Sequence, residues 1–324
     1  MKILVTGGAG YIGSITNWLL GKQGFETVIF DNLSCGHKEA VGDTPLVVGD
    51  LANKTDVTAL FEQHQFDAVI HFAALALAGE SMERPADYYL NNIVGGVNLL
   101  EAMKIGGCKY IVFSSTCALY GTPQQLPVTE LAPIHPESVY ASSKRMVEEI
   151  LAWYGKLYDI RYTNLRYFNA AGALLDGSLG ENHHPETHLI PIALSVAAGK
   201  QNELLINGDD YDTTDGTCIR DYIHVLDLAD AHIKAIEYLQ KRGASDSFNL
   251  GVGKGHSNAE VVAAIEEVVG KEIPKKVVSR RPGDPAAIWA DNTKAKKILG
   301  WEPKYSDLKT IVESAWRWHN ANSN

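Results

Sequence analysis

Tyr140 and Lys144 stand four residues apart in "SVYASSK". On a helix that spacing puts both side chains on one face. A phenol ordinarily has a pKa of about 10, and a neighbouring ammonium stabilises its ionised form. The pair therefore makes a base able to take a hydroxyl proton as hydride leaves the same carbon. A second group of reactive side chains lies in "SSTCALYG", residues 114–121, directly after the apolar run "KYIVF". Ser114, Ser115 and Thr116 can each bind a substrate oxygen, but none is acidic enough to move a proton alone. Tyr140 is thus the candidate for moving it, Thr116 for holding or relaying it, and Lys144 for tuning the phenol. Cys117 has no histidine partner that would make it a nucleophile.

Hydride needs an acceptor, and "TGGAGYIG" is suited to hold one. Gly7, Gly10 and Gly13 lie between an apolar run and a helical pattern. Glycines there permit a tight turn and close approach of a pyrophosphate to a helix N-terminus, whose free N–H groups favour an anion. The spacing is G-x-x-G-x-x-G. Asp31 ends the second apolar run, where an acid accepts hydrogen bonds from ribose hydroxyls and repels a 2′-phosphate, favouring NAD over NADP. Asp50, ending the third, suits either the adenine edge or a turn cap. Lys144 also suits the cofactor ribose, and the positive charge of an oxidised nicotinamide is expected to act with its ammonium in lowering the Tyr140 pKa. A Y-x-x-x-K spacing arises by chance on amphipathic helices; the strand-end hydroxyls and the glycine loop give it meaning.

The elements that must position these groups follow from periodicity. Short apolar runs at 2–7, 27–31, 45–50, 68–74, 110–115 and 161–169 alternate with helical patterns at 11–23, 54–64, 86–106 and 139–157. Nearly all-apolar strands alternating with helices predict a doubly wound, Rossmann-like parallel sheet covered on both faces. Residues 1–170 are predicted as the NAD-binding domain. Residues 171–324, with helices at 187–199, 225–241, 257–269 and 306–320, are predicted as a smaller α/β substrate lobe, from which a late segment could return to the sheet. The chain of 324 residues carries a formal net charge of −10, with lysines and arginines scattered, so nucleic acid is not an expected partner. No apolar run approaches the roughly 18 residues of a membrane span. "MKILVTGG" enters a strand at once, and the four cysteines form no C-x-x-C pair, so a reducing cytoplasm is expected.

Together "TGGAGYIG", "SSTCALYG", "YASSK", "LRYFNAAGA" and "IRDYIHVLDLADAH" resemble the extended short-chain dehydrogenases/reductases, and within them the UDP-sugar 4-epimerases, in order from residue 1 to about 318. The resemblance implies NAD as a retained cofactor, contacted also by Tyr11, Ile12, Asn32, Leu51, Phe72, Ala73 and Asn91. It implies a UDP-sugar substrate, with Arg220 and Arg281 on the diphosphate and Asp284 on the uridine ribose. Phe168 and Asn169 lie at the substrate, His188 and Leu189 close by, and Leu205 to Asn207 beside the uracil. It implies a homodimer formed by the helices at 86–106 and 139–157. Related 4,6-dehydratases carry an acid just after the strand-end hydroxyl; here Cys117 and Ala118 stand there, which disfavours elimination. UDP-glucose and UDP-galactose are the expected pair. UDP-pentoses, UDP-N-acetylhexosamines and net oxidation remain alternatives, and Ile288, intermediate in size, leaves the sugar open.

Four positions depart from the family pattern. Ile15 replaces a usual histidine, Ala76 a larger residue, Asn207 an aromatic and Thr116 the commoner serine. His183, His184 and His188 share one loop, but no acid or cysteine pattern is read with them and no metal site is assigned.

Overall fold

The computed structural model describes residues 1–241, 243–281 and 283–322. The first half contains β1 (Lys2–Thr6), α1 (Tyr11–Lys22), β2 (Glu26–Asp31), β3 (Leu46–Val48), α2 (Lys54–Gln63), β4 (Ala68–His71), α3 (Ala78–Glu83), α4 (Pro85–Tyr88), α5 (Gly95–Gly106), β5 (Tyr110–Thr116), α6 (Val139–Tyr158) and β6 (Arg161–Tyr167). The second contains β7 (Asn169–Ala171), α7 (Leu189–Ala197), β8 (Leu204–Asn207), β9 (Ile219–Arg220), β10 (Tyr222–His224), α8 (Val225–Gln240), β11 (Asp246–Leu250), β12 (His256–Ser257), α9 (Asn258–Val269), β13 (Lys275–Val278), β14 (Ala287–Ile288), α10 (Thr293–Leu299) and α11 (Leu308–Ala321).

A seven-stranded parallel sheet runs in the order β11-β6-β5-β4-β1-β2-β3. Its central strands β1, β2 and β4 are mostly apolar because each face is covered, whereas β6 buries Thr163, Asn164 and Arg166. Alternate residues feed two cores. Ile3, Val5, Ile29, Ile70 and Val112 pack with Leu228, Ile236 and Leu239 of α8. Leu4, Val28, Val69, Ile111 and Phe113 pack with Leu99 and Met103 of α5 and Val147 and Leu151 of α6. A third core joins α7, α9 and α11 through Leu194, Ile265 and Ile311.

Three predicted elements differ. The run 161–169 is two strands, because Phe168 N–H makes the last rung of the β6–β11 ladder, at Leu250 O, and Asn169 N–H then turns to Asp221 O as β7 pairs with β10. The helix expected over 86–106 contains a π-helical turn, Tyr89–Val94, between α4 and α5. The run 45–50 yields only β3, since Gly49 packs under the Phe30 ring and Asp50 opens a turn. The late return to the sheet is made by β11, beside β6.

Candidate active site

The glycine loop follows β1. Gly7 has φ +72°, and a Cβ there would come within 2.6 Å of Ala73 N. A Cβ on Gly13 would collide with the Gly7 carbonyl oxygen. Both glycines are therefore required by the chain's own backbone. Gly10 differs: its φ is −82°, and an added Cβ would meet only Gly7 O, at 3.4 Å. The chain itself tolerates a methyl group there, so the cradle Gly10 leaves open is room for a ligand. Among the described residues no side chain caps α1, and its first turn has no acid. The positive end of the helix is left for an anion. These residues fit a dinucleotide pyrophosphate.

Buried Asp31 is held at both oxygens, accepting from Ala9 N–H at 2.9 Å and Leu33 N–H at 2.8 Å. Asn32 Nδ2 donates to Asp50 Oδ2, and Asp50 Oδ1 accepts from Ala52 N–H at 2.8 Å. Asp50 thus closes a turn beside Asn32. Phe72 and Ala73 both donate N–H to Thr6 O, and the Phe72 ring lies 4.5 Å from that of His232. Leu51 is buried against Gly95, and Asn91 donates to Asn92. Ile12 packs at the edge of two cores, and Tyr11 sends its hydroxyl to Gly172 O at 2.5 Å.

At the end of β5 the period of two separates the three hydroxyls. Ser115 donates to Glu148 Oε1 at 2.7 Å, on the α6 side. Ser114 bonds the Tyr167 hydroxyl. Thr116 accepts from Ala118 N–H at 3.1 Å and is the one of the three close enough to Tyr140 to favour its ionised form. Ser138 caps α6, and Ser81 accepts from Tyr140 N–H at 3.1 Å, which fixes the first turn. Lys144 Nζ donates to Ser114 O at 2.8 Å and lies 6.0 Å from the Tyr140 ring centre.

In the chain alone, burial dominates the electrostatics of the pair. Burial pushes the Tyr140 phenol above its ordinary pKa, Tyr167 adds to this, and Thr116 only partly opposes it. Burial also pushes Lys144 down to about 7. Desolvation penalises the charged form of each group, so the ammonium does not by itself depress the phenol. Burial likewise pushes Cys117 up to about 12, an inert thiol.

In the second half, Asn169 donates both its N–H and Nδ2 to Asp221 O. Ile288 and Phe168 are buried in one apolar cluster with Tyr120, Val128 and Ala290. Ile288 is the register partner of Arg220. Arg220 pairs with Asp284 and also donates to Ile219 O at 2.7 Å. The two residues expected at diphosphate and ribose thus engage each other. Arg281 lies near enough to His188 to oppose its protonation. His188 precedes α7 and Leu189 begins it. Half-exposed Leu205 and Asn207 sit on β8, which pairs with β13 rather than with the β9–β14 pair.

Fold and cradle agree with what comparison finds. The model of the NAD dependent epimerase/dehydratase family matches residues 3–251. The chain belongs to this family. It is 50% identical over 319 residues to the UDP-glucose 4-epimerase of Halalkalibacterium halodurans, covering 98% of this chain and 96% of that one. It is 48% identical over 320 residues to the UDP-glucose 4-epimerase of Lacticaseibacillus casei, covering 98% and 97%. The crystal structure of the UDP-glucose 4-epimerase from Brucella ovis in complex with NAD is similar at a TM-score of 0.95, with 48% identity and 97% of each chain covered.

Three groups in this epimerase/dehydratase chain were missed by sequence reasoning. Asp221 is fully buried and accepts from the N–H groups of Val252, Gly253 and Ala290. Burial pushes it up to about 6. Its place beside Arg220 in "IRDYIHV" was the available signal. Glu148, eight residues after Tyr140 and four after Lys144, shares their helix face and joins β5 to Arg166 of β6. The loop histidines are not without acids: Glu181 and Glu186 converge on His183 and His188. Both acids stand in the polar stretch between β7 and α7, where spacing alone gave them no partner.

Proposed function

We propose that this chain interconverts UDP-glucose and UDP-galactose by inverting C4 of the sugar, with NAD held throughout the cycle. The observation that carries the reading is Tyr140 beside Thr116 and 6.0 Å from Lys144, in a chain whose glycine loop fits a dinucleotide, with no acid at positions 117 and 118. The high identity to named 4-epimerases over nearly the full chain supports it.

A sugar C4–H is not acidic, so direct proton abstraction is excluded as a route to inversion. NAD, when bound, supplies reversible hydride acceptance, which permits a 4-keto sugar. The glycine loop with Tyr11 and Ile12 would hold the pyrophosphate, and Asp31 and Asn32 the adenosine ribose. Asp50, Leu51, Phe72, Ala73 and Asn91 would line the rest. Tyr140 takes the 4-hydroxyl proton and returns it, and Thr116 keeps that hydroxyl in line. A cationic group beside Tyr140 shifts the buried phenol toward ionisation, so the base is ready only in the loaded enzyme. The keto sugar must turn over, so its tethers belong on the nucleotide. Arg220, Arg281 and Asp284 serve that role. Asn169, Phe168, His188, Leu189, Leu205, Asn207 and Ile288 complete the substrate side.

We assign residues 1–170 to the cofactor and 171–324 to the UDP-sugar, with α8 and β11 crossing back to the sheet. Exposed Leu90 and Val94 beside α5, with Met146, Trp153 and Leu157 on α6, support a homodimer through these helices. Cytoplasmic residence accords with four free cysteines.

The test is incubation with UDP-galactose and no added NAD, following UDP-glucose by chromatography and NADH by absorbance. Conversion without NADH accumulation is expected. NADH release in step with product would replace epimerisation by net oxidation, and inactivity on UDP-glucose and UDP-galactose alongside turnover of UDP-xylose or UDP-N-acetylglucosamine would reassign the sugar.

A further inference from the structure

We propose that the loop between β7 and α7 binds one divalent transition-metal ion of the zinc class through Glu181, His183, Glu186 and His188. One donor atom from each residue lies within 4.8 Å of all the others. His183 Nδ1 is 3.1 Å from Glu181 Oε1 and 3.8 Å from Glu186 Oε2. His188 Nδ1 is 3.8 Å from Glu186 Oε1 and directly against Glu181 Oε1. Zinc–nitrogen and zinc–oxygen bonds of roughly 2.0–2.2 Å place tetrahedral ligands about 3.4 Å apart. The observed separations bracket that edge, so small side-chain shifts would admit the ion. Two imidazoles with two carboxylates suit zinc, cobalt or nickel, whereas magnesium and calcium select oxygen ligands.

The ligands are also held from outside the cluster. Trp318 Nε1 of α11 donates to Glu181 O at 2.9 Å, and His37 Nε2 lies 3.0 Å from Asn182 O. Gly180 packs on the Trp318 ring so closely that a Cβ would collide with it. Glu186 Oε1 accepts from the N–H groups of Thr187 and His188, at 2.7 and 2.9 Å, which orients its carboxylate. Outer partners of this kind fix ligand geometry in metal sites. Glu181 is 7% exposed and His188 54%, so the cluster is anchored inside and reachable from solvent. The His183 ring stands edge-on to Tyr11, 6.1 Å away, where α1 begins. The ion braces the cofactor helix, α7 and α11 against one another. Its role is structural, and it takes no part in the proton transfer at Tyr140.

The full-length protein, stripped with a chelator and dialysed, is titrated with zinc chloride, and retained metal is measured by mass spectrometry. One zinc per chain is expected after dialysis against metal-free buffer, with at least about tenfold weaker retention in His183→Ala and Glu181→Gln. Zinc should raise the melting temperature of the parent and not of the variants. Equal zinc in parent and folded variants, or none in the parent, overturns the proposal. Should the variants fail to fold, cobalt(II) bound to the folded parent with its exposed Cys35 alkylated decides. The intense visible bands of a four-coordinate N/O site support the proposal, and their absence overturns it.

Discussion

Glu148→Ala should destabilise the protein by about 3–5 kcal/mol, the range for removing one partner of a buried ion pair. The Glu148 carboxylate takes Arg166 Nε at 2.9 Å and Nη2 at 2.6 Å, and the Ser115 hydroxyl at 2.7 Å. The Glu148 and Arg166 side chains are 2% and 5% exposed, so water does not replace a lost partner. What stays with Arg166 is Tyr120, whose hydroxyl lies 2.9 Å from Nη1 and itself donates to Asn249 of β11. Alanine therefore leaves a guanidinium charge without compensation at the junction of β5, β6 and α6. The assay is urea unfolding by tryptophan fluorescence, at one chain concentration. With a slope of about 3 kcal/mol per molar, the midpoint should fall by about 1–1.7 M. Glu148→Leu combined with Arg166→Met removes both charges. That double variant should recover all but about 1–2 kcal/mol, the cost of leaving Ser115 without its acceptor. A single variant within 1 kcal/mol of the parent, or a double variant worse than the single, would refute the reasoning.

Gly13→Ala should lose both stability and cofactor, because the clash is with the chain's own Gly7 carbonyl. Gly10→Ala should keep its melting temperature and lose NAD retention; a Gly10→Ala protein that retains NAD fully would remove Gly10 from the cradle. Tyr140→Phe should reduce epimerisation by about 10²–10⁴-fold, the usual weight of a general acid–base group, with NAD still bound; near-normal turnover would exclude Tyr140 as the base. His232 is buried, and burial pushes it down to about 4 against the hydrogen bond from its Nδ1–H to Leu228 O. It is neutral in the fold and charged in the unfolded chain below about 6.5. Its contribution is therefore complete above that pH and is lost as pH falls toward 4. His232→Gln should lower the slope of stability against pH near pH 5 by about one proton, or 1.4 kcal/mol per unit. An unchanged slope would mean His232 is charged in the fold.

Much of the sheet was legible because its strands are buried on both faces. Runs such as "KILVTG" and "YIVFSS" read the same from sequence and in the structure, apart from their last residue or two. The glycine loop was legible because its spacing serves the backbone itself at Gly7 and Gly13. The split at Phe168 was not, since both halves of "RYTNLRYFNAA" are strand; the break depends on Asp221, some fifty residues on, whose carbonyl takes the Asn169 N–H as β7 changes partner to β10. The π-helical turn at 89–94 escaped for a related reason. Its Asn92 holds Leu75 and Ser143, contacts that helical periodicity does not encode.

By itself the sequence determined the alternation of strand and helix, the glycine cradle, Asp31 at a strand end, and Tyr140 and Lys144 on one helical face. These follow from local periodicity and from residue types that keep their chemistry wherever they lie. The tertiary structure decided which of three adjacent hydroxyls meets Tyr140, because Tyr167 takes Ser114 and Glu148 takes Ser115. It decided that Arg220 and Asp284, 64 residues apart, form a pair. It also decided that Tyr140 and Lys144 both resist charge in the chain alone, since desolvation is set by everything packed around a group and not by its neighbours in sequence.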